Sequence, residues 1–197
     1  MLNIILLGMI SFFTDVSTEM VYPLIPLYLT ATFGATPALI GLIEGIAESL
    51  ASLLKVFSGY VTDRFQHKRR LAFLGYSTSL FYKLALLLAG SWVGILSARV
   101  IDRIGKGIRT APRDVLVSES SDQNHLGRAF GVHKALDMAG SALGILIAYF
   151  LVRSQSAEAG QAASYRQLFL VSIGPALIGL ALFSFVREKK VHQPAKV

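Results

Sequence analysis

Asp15 and Glu19 stand one helical turn apart inside the first hydrophobic run, between Leu2–Phe13 and Met20–Leu29. A carboxylate at that depth of a bilayer is costly, so such residues meet a partner charge or a polar path. Ionisable residues interrupt the later runs too: Glu44 and Glu48 the second, Lys83 the third, Arg99, Asp102 and Arg103 the fourth, His133 and Asp137 the fifth. A bundle that is apolar outside and ionisable inside reads as a pathway for something polar.

The individual residues allow more than one chemistry. Asp15 and Glu19 could bind a cation or carry a proton, since burial sets the cost of the charged carboxylate; the other reading is that they neutralise Arg99, Arg103 or Lys83. Glu44 and Glu48 face the same choice with Lys55. Arginine stays charged, so Arg99 and Arg103 either pair or hold an anion. Lys83 lies about 18 Å along its helix from the basic end, too deep to reach water fully, and is a candidate for substrate contact. His133 with Asp137 could relay protons or simply cap and pair. The candidate substrate contacts are therefore Asp15, Glu19, Glu48, Lys83, Arg99, Arg103, His133 and Asp137. No catalytic residue, metal or cofactor is assigned. Gly105-Lys106-Gly107 lacks the spacing of a phosphate-binding loop, so ATP hydrolysis has no support.

The elements that must position these residues are long apolar helices. Of 197 residues, 53% are hydrophobic and 16% charged, with a mean hydropathy of +0.56, which argues against a soluble or disordered chain. A span needs roughly 20 apolar residues. Six stretches qualify: 4–30, 37–62, 71–90, 92–111, 126–152 and 165–186. Pro23 and Pro26 should bend the first span, and Gly174-Pro175 the sixth. Glu44, Glu48, Ser52 and Lys55 share one face of the second span; Arg99, Asp102, Arg103 and Lys106 one face of the fourth; His133, Asp137 and Ser141 one face of the fifth. The third and sixth spans, nearly free of charge, belong to the lipid-facing periphery. Small residues form contact ridges at Gly41, Gly45 and Ser49, at Gly127 and Gly131, and at Gly140 with Gly144.

The net charge of +7 clusters at alternate ends of the spans. Arg64, Lys68, Arg69 and Arg70 follow the second; Lys106, Arg109, Arg113 and Arg128 stand at the end of the fourth or the opening of the fifth; Arg187, Lys189, Lys190 and Lys196 follow the sixth. Topology explains this pattern better than nucleic-acid binding and puts both termini in the cytoplasm. There is no cysteine, so neither disulfides nor thiolate ligation is available. The first run continues into a full span and reads as a retained helix, not a signal peptide.

The run GYVTDRFQHKRR from Gly59 to Arg70 resembles the loop signature that joins helices 2 and 3 in the major facilitator superfamily, with Gln66 and His67 in place of the usual glycine and basic residue. RVIDRIGKGIRTAPRD from Arg99 to Asp114, FGVHKALDMAG from Phe130 to Gly140 and FFTDVSTEMVYP from Phe12 to Pro23 are similar to a bacterial subgroup of that family. The resemblance implies an all-α membrane protein of six transmembrane helices: one family half, built as two three-helix inverted repeats. These would be residues 1–90 and 91–190 within a single domain, 1–197, with 191–197 as a cytoplasmic tail. It also implies a conformational latch at Gly59, Asp63, Arg64, Lys68 and Arg69. The proton-coupling set becomes Asp15, Glu19 and Arg99, which falls at the family's helix 4 arginine.

Typical members have two six-helix halves with the substrate between them. The expectation is accordingly a homodimer, or a pairing with a second six-helix half, packed through Gly41, Gly45, Ser49, Gly131, Gly140 and Gly144. Such an assembly would sit in the lipid of a bacterial inner membrane and carry out proton-coupled secondary transport of a hydrophilic charged solute, a metal chelate or an organic polycarboxylate. Drug efflux and a non-transporting partner subunit are the alternatives.

Overall fold

The computed structural model describes residues 2–65, 68–154 and 161–187. Its first span is broken where the prolines predict. Helix α1, Leu2–Glu19, stops because Pro23 lacks the N–H that the Glu19 carbonyl would accept. A 3-10 turn over Tyr22–Leu24 then leads into α2, Ile25–Phe33, with Pro26 in its first turn. Gly34 ends α2 at a φ of 63°, a left-handed conformation that suits glycine.

The other spans are single helices: α3, Pro37–Phe65; α4, Lys68–Leu88; α5, Trp92–Glu119; α6, Leu126–Ser154; and α7, Gln161–Phe183. The described residues contain no strand, so the fold is the expected all-α bundle. Ser91 caps α5 by accepting from the Gly94 N–H at 3.2 Å, satisfying one free donor of the first turn. One boundary differs from the expectation: helix α5 runs on through Pro112 to Glu119, well past residue 111. Helix α7 continues through Pro175, inside the expected sixth span. By length and apolarity, 2–33, 68–88, 123–154 and 165–183 are long enough to cross a membrane. Helices α3 and α5 are as long but carry the charges.

Packing divides the bundle into two groups, with α5 between α3 and α4 and α1 between α6 and α7; α4 also meets α7. Glycines set the closest approaches. A Cβ on Gly75 of α4 would lie 2.8 Å from the Gly105 carbonyl oxygen of α5, and one on Gly107 would lie 2.7 Å from Leu54 Cβ of α3. Large side chains there would force the helices apart. Gly140 and Gly144 do the same between α6 and α1: Cβ atoms would fall 2.9 Å from Phe12 Cα and 2.6 Å from the Val16 carbonyl oxygen. Both were expected at a contact between copies. Instead they are buried inside one chain, because a small-residue ridge specifies close packing without specifying the partner.

Two apolar clusters hold the ends of the bundle. Met20, Ile25, Leu29, Ile43, Leu86, Ile95 and Phe169 belong to one; Ile4, Leu7, Ile10, Tyr76, Leu116 and Phe183 to the other. Along α5 and α6 the ionisable residues from Arg99 to Asp114 and from His133 to Asp137 lie between them, whereas Glu19 and Lys83 stand among residues of the first. Outward faces carry Leu53, Val56 and Phe57 on α3, Leu74 and Phe81 on α4, and Leu170 and Ile178 on α7, all exposed, as lipid contact requires. At one end the Asn3 amide donates to the Arg187 carbonyl at 3.0 Å and its oxygen accepts from the Arg187 N–H at 3.1 Å, joining the start of α1 to the chain after α7.

Candidate functional site

The charged faces of α1, α3, α5 and α6 converge on a cavity of about 340 Å³. Helix α1 brings Asp15 and Glu19, α3 brings Glu48, Ser52 and Lys55, α5 brings Lys106, Arg109 and Arg113, and α6 brings Lys134, Asp137 and Ser141. A second compartment of about 310 Å³ shares Asp15, Glu19, Glu48, Lys106 and Arg109, and adds Thr18, Tyr22, Asp102 and Arg103. Among the described residues, helices α4 and α7 contribute no lining residue to either compartment.

Ion pairs cross the walls in a definite pattern. Arg103 Nε lies 3.3 Å from Glu48 Oε2, but without hydrogen-bond geometry, since this nitrogen has no hydrogen-bond partner. Arg109 Nη2 stands 3.9 Å from Asp15 Oδ1, and Arg113 Nη1 3.9 Å from Asp137 Oδ1. Lys134 Nζ donates to Asp137 Oδ2 at 2.7 Å. Tyr22, in the 3-10 turn that breaks the first span, lays its ring against two guanidinium groups, 4.6 Å from Arg99 and 5.2 Å from Arg103. The proline break therefore places an aromatic face against the arginines of α5.

Of the expected substrate contacts, Asp15, Glu19, Glu48, Arg103 and Asp137 line this space. Arg99, Lys83 and His133 do not. Arg99 is fully buried, paired with Glu44 through Nε at 2.8 Å and a second, shorter contact, and with Asp102 at 3.5 Å. Asp15 pairs with Arg109, not Arg99, so the expected coupling set is split between two places. Lys83 is fully buried and donates to Ser79 Oγ at 2.6 Å and Thr18 Oγ1 at 3.2 Å. His133 is turned away from Asp137: its Nε2 is 3.1 Å from the Ser11 hydroxyl, which lies 3.0 Å from the Tyr76 hydroxyl. That contact ties α6 to α1 and α4.

Lys106, Arg109, Arg113 and Lys134 were assigned to topology or left unassigned, yet all four line the cavity. Their signal was periodicity: Lys106, Arg109 and Arg113 continue the helical face of Arg99, Asp102 and Arg103. At the basic end, Lys68 pairs with Glu119 of α5, and Arg69 donates to the Ser184 carbonyl at 3.1 Å. Gly59 lies in α3 near Ala111. The side chains of Asp63 and Arg64, and residues 66 and 67, lie outside the described residues, and so does the 191–197 tail. Gly41, Gly45 and Gly131 face open space, and Ser49 borders an apolar groove along α3 with Leu42, Ile46, Leu50 and Leu53. Among the described residues no group of three or more His, Cys, Asp or Glu side chains converges as a metal site.

Residues 7–197 match the sequence model of the Major Facilitator Superfamily. The chain belongs to that superfamily. It is 37% identical over 188 residues, 95% of its length, to an MFS-type transporter of Methanocaldococcus jannaschii, of which it covers 45%. To a probable 4-methylmuconolactone transporter of Cupriavidus pinatubonensis it is 29% identical over 85% of its length, covering 38% of that protein. The chain thus spans less than half the length of these relatives. Its fold matches the crystal structure of a D-xylose-proton symporter with a TM-score of 0.79 at 17% identity, over 95% of this chain and 48% of that one. The peptide transporter POT, solved in complex with alafosfalin, matches with a TM-score of 0.75 at 18% identity, over 92% of this chain and 37% of that one. These similar proteins are all named as transporters or symporters.

Proposed function

We propose that this six-helix unit forms one wall of a secondary transport pathway for a hydrophilic, charged solute, driven by protons and working by alternating access. The observation that carries the reading is the cavity lining. Asp15, Glu19, Glu48 and Asp137 oppose Lys55, Lys106, Arg109, Arg113 and Lys134. A lining of both signs suits an organic polycarboxylate or a metal chelate and penalises a purely apolar drug, whose entry would strip water from charges without replacing it. The names of two similar proteins, a 4-methylmuconolactone transporter and a D-xylose-proton symporter, agree with small polar cargo and protons. Asp15 and Glu19 are the proposed proton carriers.

The facing wall is proposed to come from a second copy. Two parallel copies would bring the α3 groove with its open glycines against the exposed α6 face around Gly131, and the charged cavities would then face each other. The test is solute uptake into liposomes under an imposed pH gradient. Accumulation that collapses when a protonophore dissipates the gradient is the expected result; no gradient-dependent flux for any charged or zwitterionic solute overturns the reading. Efflux of apolar cationic drugs in preference to organic anions would instead favour the drug-export alternative, which a 25% match to a protein named multidrug resistance protein MdtH keeps open.

A further inference from the structure

Arg109 is 7% exposed and lines both compartments, yet its side chain forms no hydrogen bond among the described residues. Its one ion contact, to Asp15 at 3.9 Å, is longer than the roughly 2.7–3.2 Å of a direct hydrogen bond. The Tyr76 ring covers one face of the guanidinium, 4.8 Å from its central carbon, and Tyr76 is itself held by Ser11. A guanidinium carries five donors in a fixed plane. The ring covers a face and leaves the in-plane donors clear to meet a partner in the cavity that Arg109 lines, and a buried charge without such partners is costly.

Its neighbours sharpen the inference. Lys106, one helical turn before Arg109, and Lys55 across the cavity on α3 have no carboxylate within ion-pair distance among the described residues. Of the acids nearby, Asp137 is engaged by Lys134 and Arg113 and Glu48 by Arg103, while Glu19, which lines both compartments, stands beyond ion-pair distance of all three cations. The lining thus carries five cations against four carboxylates, and three of the cations, on two helices, lack a close carboxylate partner among the described residues.

We infer that Arg109, flanked by Lys106 and Lys55, is an anion subsite that takes a carboxylate or phosphate group of the solute. The fork of Arg109 would bind such a group through two parallel N–H···O contacts, with the lysines as point charges beside it. Asp15 is the internal competitor, standing where it reaches the same guanidinium at long range. The inference rests on the transport reading only in calling the anion a solute.

The test uses the full chain in lipid nanodiscs, titrated calorimetrically with citrate, succinate, inorganic phosphate and, as a neutral control, xylitol. The expected result is binding of at least one anion and none of xylitol. Arg109→Gln should weaken it at least tenfold, Arg109→Lys should retain part of it, and Arg70→Gln, outside the cavity, should leave it unchanged. Asp15→Asn should tighten it at least threefold, an effect that a merely structural arginine would not produce. Comparing citrate and succinate with phosphate separates the two anion chemistries. Binding of none of the three anions, or equal binding by Arg109→Gln, overturns the subsite. Should the Gln variant fail to fold, phenylglyoxal labelling of Arg109 in the unaltered protein decides: the bound anion must slow it, and unslowed labelling overturns the proposal. Binding without gradient-driven uptake would retire the transport reading and keep the subsite. Uptake undiminished by Arg109→Gln would do the reverse.

Discussion

The Arg99 Nε donates to Glu44 Oε1 at 2.8 Å, and a second edge of the same guanidinium meets the other carboxylate oxygen, tying α5 to α3 with the arginine fully buried. Glu44→Gln would remove the closer of the arginine's two carboxylate partners and leave that charge with Asp102 at 3.5 Å. The expected cost is about 3–5 kcal/mol of stability, the range for breaking one side of a buried pair. Glu48→Gln, at a side chain 61% exposed, should cost no more than about 1 kcal/mol. Thermal unfolding followed by the single tryptophan, Trp92, measures both.

Lys83 poses the opposite case, an ammonium with two hydroxyl partners and, among the described residues, no carboxylate within ion-pair distance. Lys83→Met keeps much of the volume and removes the charge, so its unfolding temperature should equal or exceed that of the unaltered chain. Lys83→Ala should fall by about 2–5 kcal/mol through the cavity it leaves. A Met variant less stable than the Ala variant would mean that the ammonium itself holds α4 to α1.

Gly140→Val would drive a side chain into the Phe12 backbone and should destabilise by about 1–3 kcal/mol or more. Gly127→Ala, in open space, should change stability by no more than about 0.5 kcal/mol. Equal thermal shifts for the two would refute the close α1–α6 packing.

On the transport reading, Asp15→Asn and Glu19→Gln remove the proposed proton carriers. Both should lose pH-gradient-driven accumulation in liposomes while still exchanging labelled for unlabelled solute at equilibrium. Accumulation at the unaltered level in both variants would exclude these acids as the coupling groups.

The proposed second copy is tested by cross-linking, helped by the absence of native cysteine. Oxidation of a Ser49→Cys, Gly131→Cys protein in membranes should yield a covalent dimer, whereas Leu170→Cys on the outward face of α7 should not. A chain that stays monomeric at every density would remove the homodimer and direct attention to a different facing half.

Much of the bundle was legible because its signals are local. Proline at positions 23 and 26 removes specific backbone donors, so the break after Glu19 follows from covalent chemistry alone. The shared face of Glu44, Glu48 and Lys55 follows from helical period. The partners were not legible, because pairing across helices depends on rotation and depth. Arg99 was free to meet Asp15 or Glu44 until α3 and α5 were docked. Arg109 and Arg113 were missed for another reason: at the end of the expected fourth span they counted as topogenic charge, whereas α5 runs about two turns past residue 111 and both arginines line the cavity. Gly140 and Gly144 showed that backbones would touch but not whose.

The paired hydrogen bonds between Asn3 and Arg187 bring the two ends of the six-span path to within a side chain of each other. An even number of crossings returns the backbone to the face from which it set out. A second bundle joined through a short tether at that point would enter the membrane in the same sense as the first, without having to thread an extra crossing or invert. The bundle is thus a module whose geometry permits end-to-end duplication, and a tandem fusion of two copies is a natural single-chain form of the pathway.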